Sequence, residues 1–156
     1  MQTLELPIIL VSKSPRRRQL LEQAGFQFTI KPQDVPEDYP DDMPVEEVAP
    51  FLAQKKVRAS MHALEGKGVL LGADSVVILD GVIYEKPKDR ADAQRILREL
   101  SGREHTVITG VCLANAKQER VFSGVSRVHF DKLSDEEIGF YIDKYQPYDK
   151  AGAYAI

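Results

Sequence analysis

The sequence predicts an α/β fold: a mixed, twisted sheet flanked by helices. Three observations predict it. The run "VLLGADSVVIL" (69–79) is apolar on both faces, as a central strand is. Helical and strand-like periodicities alternate along the chain. Asp80-Gly81 is a hairpin signal, so neighbouring strands are joined by a tight turn as well as by crossovers, and the sheet is mixed.

Element by element, "PIILV" (7–11) reads as a short buried strand. Ser14 suits a helix N-cap and Pro15 the first helical position. The helix that follows places Leu20, Leu21 and Ala24 on one expected core face, and Gly25 stops it. "FQFTI" (26–30) alternates as a strand. Residues 34–47 hold seven acids, three prolines and no base, which reads as a loop leading into a helix over about 45–64. Pro50 falls inside that helix and is expected to kink it or delay its start. After the 80–81 turn come "VIY" and "EKP". "DRADAQRILREL" repeats Ala93, Ile96, Leu97 and Leu100 at helical spacing, and Ser101-Gly102 ends it. "HTVITGVCLA" and "RVFSGVSRVHF" read as two long neighbouring strands. "SDEE" (134–137) matches a capping box, with Ile138, Tyr141, Ile142 and Tyr145 as the buried stripe behind it.

Composition narrows the function classes. The chain has 156 residues, one domain's worth, with 43% hydrophobic and 29% charged residues. A net charge of −3 argues against a nucleic-acid coat. No apolar run reaches the roughly 20 residues of a membrane span, and no secretory signal pattern is present. Cys112 is the single cysteine, which fits a reducing cytoplasm. His62, His105 and His129 lie far apart, so zinc-ligand spacing is missing.

The chemistry-bearing residues are cations and one acid. Arg16, Arg17 and Arg18 crowd the first turn of a helix, the positive end of its dipole. Either they grip an anion there with Ser12, Ser14 and the helix N–H groups, or they solvate a helix surface. No glycine-rich nucleotide fingerprint accompanies them. Lys56 shares its helix face with Ala49, Leu52, Ala53, Ala59 and Ala63, and either snorkels to solvent or points into a cleft; Lys55 is expected to face water. Asp74 interrupts the apolar 69–79 run. A buried carboxylate is costly, so Asp74 either caps backbone N–H groups or serves as a metal ligand or general base. Gly72 and Ala73 leave room beside it for a ligand. Together these groups suggest an anionic substrate and a divalent cation, magnesium being content with few carboxylates plus phosphate oxygens.

"SKSPRRRQLL", "FLAQKKVRA", "GADSVV", "EKP", "LSGREHTVITGV" and "DKAGAYAI" resemble, in order and spacing, the motifs of the Maf family of nucleoside triphosphate pyrophosphatases. The resemblance covers residues 8–156. It implies a two-lobed structure with a central cleft, similar to inosine triphosphate pyrophosphatases. It implies a cytoplasmic enzyme that uses a divalent metal (Mg or Mn) and frequently pairs as a homodimer. "SPRR" and "GADS" are similar to the dTTP/UTP branch, which implies dTTP, UTP or modified pyrimidine nucleotides as substrates. A nucleotide-binding regulator of septum formation, without turnover, is the alternative. Residue by residue, the resemblance implies Asp74 as proton acceptor and metal ligand with Glu37. It implies Lys56 and Lys86 near the phosphates, with Ser14, Arg16, Arg17 and Ser75 as substrate-binding positions, Arg16 and Ser75 being linked to base selectivity. Family members continue past "KAGAYAI" with a glutamine-glycine pair, further strands and a helix, so 1–156 is expected to form a single Maf-like domain without them.

Overall fold

The computed structural model describes residues 7–64, 66 and 68–155. In chain order the elements are β1 (Ile8–Leu10), α1 (Pro15–Gln23), β2 (Phe28–Ile30), α2 (Val45–Ala59), β3 (Val69–Leu79) and β4 (Val82–Tyr84). There follow α3 (Arg90–Leu100), β5 (Glu104–Ala114), β6 (Glu119–His129) and α4 (Asp135–Tyr145), with short 3-10 turns at Met61–Ala63, Pro147–Asp149 and Ala151–Ala153. The six strands form one sheet in the order β2-β1-β3-β5-β6, with β4 beside β3. β1 runs parallel to β2 and β3, Ile8 facing Phe28 on one side and Val69 on the other. β4 returns antiparallel from β3, Leu79 opposite Val82. The sheet is therefore mixed, and α/β is the fold class.

The chain divides into two compact units. One runs to Asp74 and includes Thr109–Ser123; the other comprises Ser75–Ile108 and the chain from Gly124 onward.

In the first unit, α2 lies against the sheet through very small residues. Ala49, Ala53 and Val57 have no exposed surface. Glycines meet them from the sheet: a Cβ on Gly110 would sit 2.3–2.4 Å from backbone atoms of Ala49 and Pro50, and one on Gly72 would sit 2.6 Å from Val57 Cγ2. Gly72 thus makes room for α2, not for a ligand as expected. Pro50 neither delays the helix, which begins at Val45, nor ends it. Its missing N–H falls where the helix backbone lies against Gly110. The helix stops at Ala59, and the remainder of the expected 45–64 span is the 3-10 turn at Met61–Ala63.

The expected core face of α1 is exposed, and that of α4 is buried only in part; β6 is exposed along nearly its whole length. α1 buries none of its residues, and Leu20 is 48% exposed; three-residue strands on either side give this helix little apolar surface to lie on. β6, last in the sheet order, exposes nearly every residue, Phe122 and Val125 included. On α4 only Ile138 and Ile142 are buried, while Tyr145 stacks on Tyr141 with ring centroids 4.9 Å apart and stays exposed.

In the second unit, Ala93, Ile96, Leu97 and Leu100 of α3 pack with Val77, Leu79, Val107, Ile138, Ile142 and Ala153. Asp89 caps α3 by accepting from the Asp92 amide at 2.8 Å, and Ser134 and Glu137 form the expected capping box of α4. Asp80 and Gly81 both take positive φ, 53° and 76°, as a tight hairpin turn requires. Among the described residues no helix is long and apolar enough to cross a membrane.

Candidate active site

Strand geometry aims Asp74. Gly72 and Asp74 are two residues apart on β3 and so share a face of the sheet. Gly72 faces α2, so Asp74 does too. From α2, Lys56 meets it: Lys56 Nζ donates to Asp74 Oδ1 at 2.7 Å. The side chains are only 17% and 12% exposed. Lys56 therefore does not snorkel away, and the Asp74 carboxylate has an ammonium for its partner.

The acidic loop supplies a second carboxylate. Glu37 Oε1 lies 3.5 Å from the same Lys56 Nζ. Lys55, expected in water, holds the loop one residue further on, donating to Asp38 Oδ1 at 2.5 Å. Lys13 and Asp34 make a further ion pair. Adjacent lysines of one helix thus tether a proline-rich segment whose own backbone forms no regular structure.

The three arginines part company by helical geometry. Ser14 caps α1, its hydroxyl accepting from the Arg17 amide at 3.4 Å. Arg17 is half-buried; burial pulls its guanidinium below the usual arginine value, and the charges of Asp74 and Glu37 oppose that pull. Arg16 is exposed, and Arg18 donates to Glu22 at 3.2 Å along the helix surface. Arg17 turns to the carboxylates and Arg18 to the surface, so the solvated reading holds for Arg18.

Asp74 is perturbed in the sense a proton acceptor needs. Burial raises its carboxyl above the usual value. The Lys56 charge and hydrogen bond pull it back, Glu37 raises it further, and Arg17 lowers it. Two neighbours therefore act with opposite sign, which predicts opposite shifts in the acid limb of a pH–rate profile. Glu37→Gln removes a raising charge and is expected to move the limb to lower pH. Lys56→Met removes two lowering influences and is expected to move it to higher pH. Profiles of kcat/KM for the two variants check this; shifts in the same direction contradict it.

Ser14, Arg17, Glu37, Lys56 and Asp74 all lie in the first unit. Ser75 and Lys86 belong to the second. Ser75 is half-buried, next along β3 and so on the opposite sheet face from Asp74. Lys86 is exposed between β4 and α3, near Asp149, whose carboxyl is lowered chiefly by its hydrogen bond from Lys150 and least by the Lys86 charge. Among the described residues no three His, Cys, Asp or Glu side chains gather as a metal site. Two carboxylates that already share one ammonium nevertheless fit a hard divalent ion, which takes one or two carboxylates and fills its shell with phosphate oxygens and water.

Sequence reasoning missed His105. It is 2% exposed on β5, and its Nε2 lies 2.7 Å from the Tyr154 hydroxyl. The signal was there: His105 and Val107 alternate onto one strand face in "HTVITGV".

Known proteins resemble this chain over most of its length. A family model described as Maf-like protein matches residues 7–156. A dTTP/UTP pyrophosphatase of Porphyromonas gingivalis is 47% identical over 152 residues, which are 96% of this chain and 76% of that protein. One of Bacteroides thetaiotaomicron is 43% identical over 150 residues, covering 96% and 78%. Among solved structures, the Staphylococcus aureus Ham1 protein superposes with a TM-score of 0.57 at 16% identity, over 83% of this chain and 72% of that one. A nucleoside-triphosphatase / dITP/XTP pyrophosphatase of Mycobacterium abscessus gives 0.50 at 16% identity, over 80% and 74%. These two share the fold. On the family model and the identities together, the chain belongs to the Maf-like protein family.

Proposed function

We propose that this chain hydrolyses dTTP and UTP to the nucleoside monophosphate and pyrophosphate. The observation that carries the reading is the buried Asp74 carboxylate bonded to Lys56 with Arg17 and Glu37 beside it. The names of relatives 41–47% identical support the substrates.

In this reading Asp74 accepts a proton from water as the water oxygen attacks the α-phosphorus. The new P–O bond forms on the side away from the leaving group. The bond from the α-phosphorus to the α,β-bridging oxygen breaks, and pyrophosphate leaves with that bonding pair. A carboxylate whose pKa is raised by burial is a better acceptor near neutral pH than an exposed one. Arg17 and Lys56 orient the phosphates and offset charge that builds on them, each charge-assisted contact contributing about 1.5–3 kcal/mol. Lys86 is assigned to the departing phosphates. Arg17 and Lys56 are already balanced by Glu37 and Asp74, so the cluster is formally neutral. A triphosphate carrying roughly four negative charges needs more. Asp74 and Glu37 are the residues that would hold a divalent cation, Mg or Mn, which when bound supplies that positive charge at the phosphate oxygens.

Arg16 is assigned to base choice. The two neighbouring arginines should then separate in kinetics. Arg17→Ala is expected to lower kcat/KM at least about tenfold on every nucleotide, the size of one lost charge-assisted contact. Arg16→Ala is expected to change the ranking among nucleotides more than the rate on any one. A uniform loss from both variants contradicts the division of labour. The function itself is tested by pyrophosphate release across the natural triphosphates with magnesium. Release is expected to be fastest from dTTP and UTP. Nucleotide-raised melting temperatures with no pyrophosphate from any of them identify a binding protein instead.

A further inference from the structure

Behind the Lys86 segment, the second unit holds a buried polar contact that the proposed mechanism leaves unused. His105 Nε2 and the Tyr154 hydroxyl lie 2.7 Å apart, and Phe130 packs edge-on against both rings with centroids 4.9 Å away. His105 Nδ1 is buried without a hydrogen-bond partner. Such an orphaned nitrogen is costly, and a phenylalanine would fill the same space without that cost. Burial holds the imidazole below its usual pKa, and it pushes the Tyr154 hydroxyl up to about 12, so the contact is between neutral groups.

Tyr154 ends a strained turn. Gly152 has φ +70°, and the next residue, Ala153, has φ +61°, in a region a residue with a Cβ rarely adopts. Gly152 is wedged against β3: a Cβ there would lie 2.7 Å from Val77 Cγ2. In this position the Gly152 amide donates to the Glu85 carbonyl at 3.3 Å. Glu85 precedes Lys86, and Pro87 after it is buried and has no amide hydrogen to anchor the backbone from that side. Left-handed backbone at a non-glycine residue persists where its surroundings over-determine it. The His105–Tyr154 contact and the Val77 wedge are those surroundings.

We propose that His105 and Tyr154 are a positioning pair for Lys86: their contact fixes the 151–153 turn, the turn holds the Glu85 carbonyl through the Gly152 amide, and that carbonyl sets the path of the backbone at Lys86. The pair touches no substrate atom. Its kinetic consequence rests on the assignment of Lys86 to the phosphates, whereas the mechanical link does not.

The experiment has two arms in the full chain. In the first, amide hydrogen exchange is compared between the parent protein and Tyr154→Phe, which removes only the hydroxyl. The Gly152 amide, which donates to the Glu85 carbonyl, is expected to exchange at least about tenfold faster while α3 and α4 are unchanged. In the second, pyrophosphate release from dTTP is measured for the parent, Tyr154→Phe, Lys86→Ala and the double variant. Tyr154→Phe is expected to lower kcat/KM about tenfold, and to lower it no further once Lys86 is gone, because the two act through one group. A merely structural role gives the same proportional loss in both backgrounds and overturns the proposal. Unchanged exchange in Tyr154→Phe overturns it as well. A parent protein that releases no pyrophosphate from any nucleotide defeats the proposed function, and the exchange arm then decides the positioning pair alone. His105→Phe removes the contact from the other side and carries both arms if Tyr154→Phe does not fold.

Discussion

Replacing Asp74 by asparagine is expected to lower kcat on dTTP about 10²–10⁴-fold, the range of a lost proton acceptor, while leaving the fold intact. The two halves of this expectation have separate physical grounds. Asparagine has nearly the same shape and still accepts from Lys56 Nζ, now 2.7 Å from Asp74 Oδ1, but it takes no proton from water. Stability follows from the direction of the Asp74 shift. Its folded pKa is raised above the unfolded value, so the folded chain binds that proton more tightly than the unfolded chain. The stability linked to this site is fully present below the unfolded pKa and is lost as pH rises through the folded one. At neutral pH the carboxylate therefore weighs against folding, and asparagine removes that weight. Lys56 keeps Glu37 at 3.5 Å and is not left alone. The melting temperature of Asp74→Asn at pH 7 is expected within a few degrees of the parent's. Circular dichroism melting beside pyrophosphate release checks both halves; a parent-like kcat removes Asp74 from its role, and a collapsed melt makes the residue structural.

The largest expected loss of stability lies away from the chemistry, at Gly110. An alanine there puts its methyl carbon 2.3–2.4 Å from Pro50 N, Pro50 Cα and the Ala49 carbonyl carbon, all backbone atoms of α2. No rotamer change relieves contacts with backbone. The helix has to move off the sheet, against the packing of Ala49, Ala53 and Val57, which are fully buried. Overpacking usually costs about 1–3 kcal/mol and more where the backbone must shift. Gly110→Ala is expected at or beyond the upper end, a melting temperature lower by about 6–12 °C or more at this size. Gly72→Ala is expected to cost less, since its nearest obstacle, Val57 Cγ2 at 2.6 Å, belongs to a side chain. Gly124→Ala on β6 meets nothing within 4 Å and is the neutral control. A displaced α2 also takes Lys56 away from Asp74, so activity should fall with stability at Gly110 and not at Gly124. Gly110→Ala melting like the parent would contradict the close approach of α2 to the sheet.

Much of this was legible in the residues, for reasons that differ by element. Helices α3 and α4 announce themselves by periodicity and, for α4, by its cap, because both signals are local: Ser134 caps as expected, and Ala93, Ile96, Leu97 and Leu100 are buried as expected. β3 announces itself because an apolar run on both faces suits only an interior strand. Burial was misjudged where it depends on what lies opposite. Leu20 and Tyr145 have helical spacing but no covering layer, and pattern alone cannot supply one. At the site, Asp74 and Lys56 stood out as charges set among apolar or small residues, and the structure joins them. Which of three consecutive arginines turns inward depends on the phase of α1, and periodicity among exposed residues does not fix that phase; Arg17 became distinct only in three dimensions. Gly110 and the His105–Tyr154 contact stayed hidden because each is defined by a partner tens of residues away.

The central claim, attack by water on the α-phosphorus at the Asp74 cluster, is tested most directly by hydrolysing dTTP in water enriched with oxygen-18 and weighing both products. The account predicts one dTMP and one pyrophosphate for each dTTP, with the label in dTMP. Label in pyrophosphate, or inorganic phosphate as the first product, would contradict it.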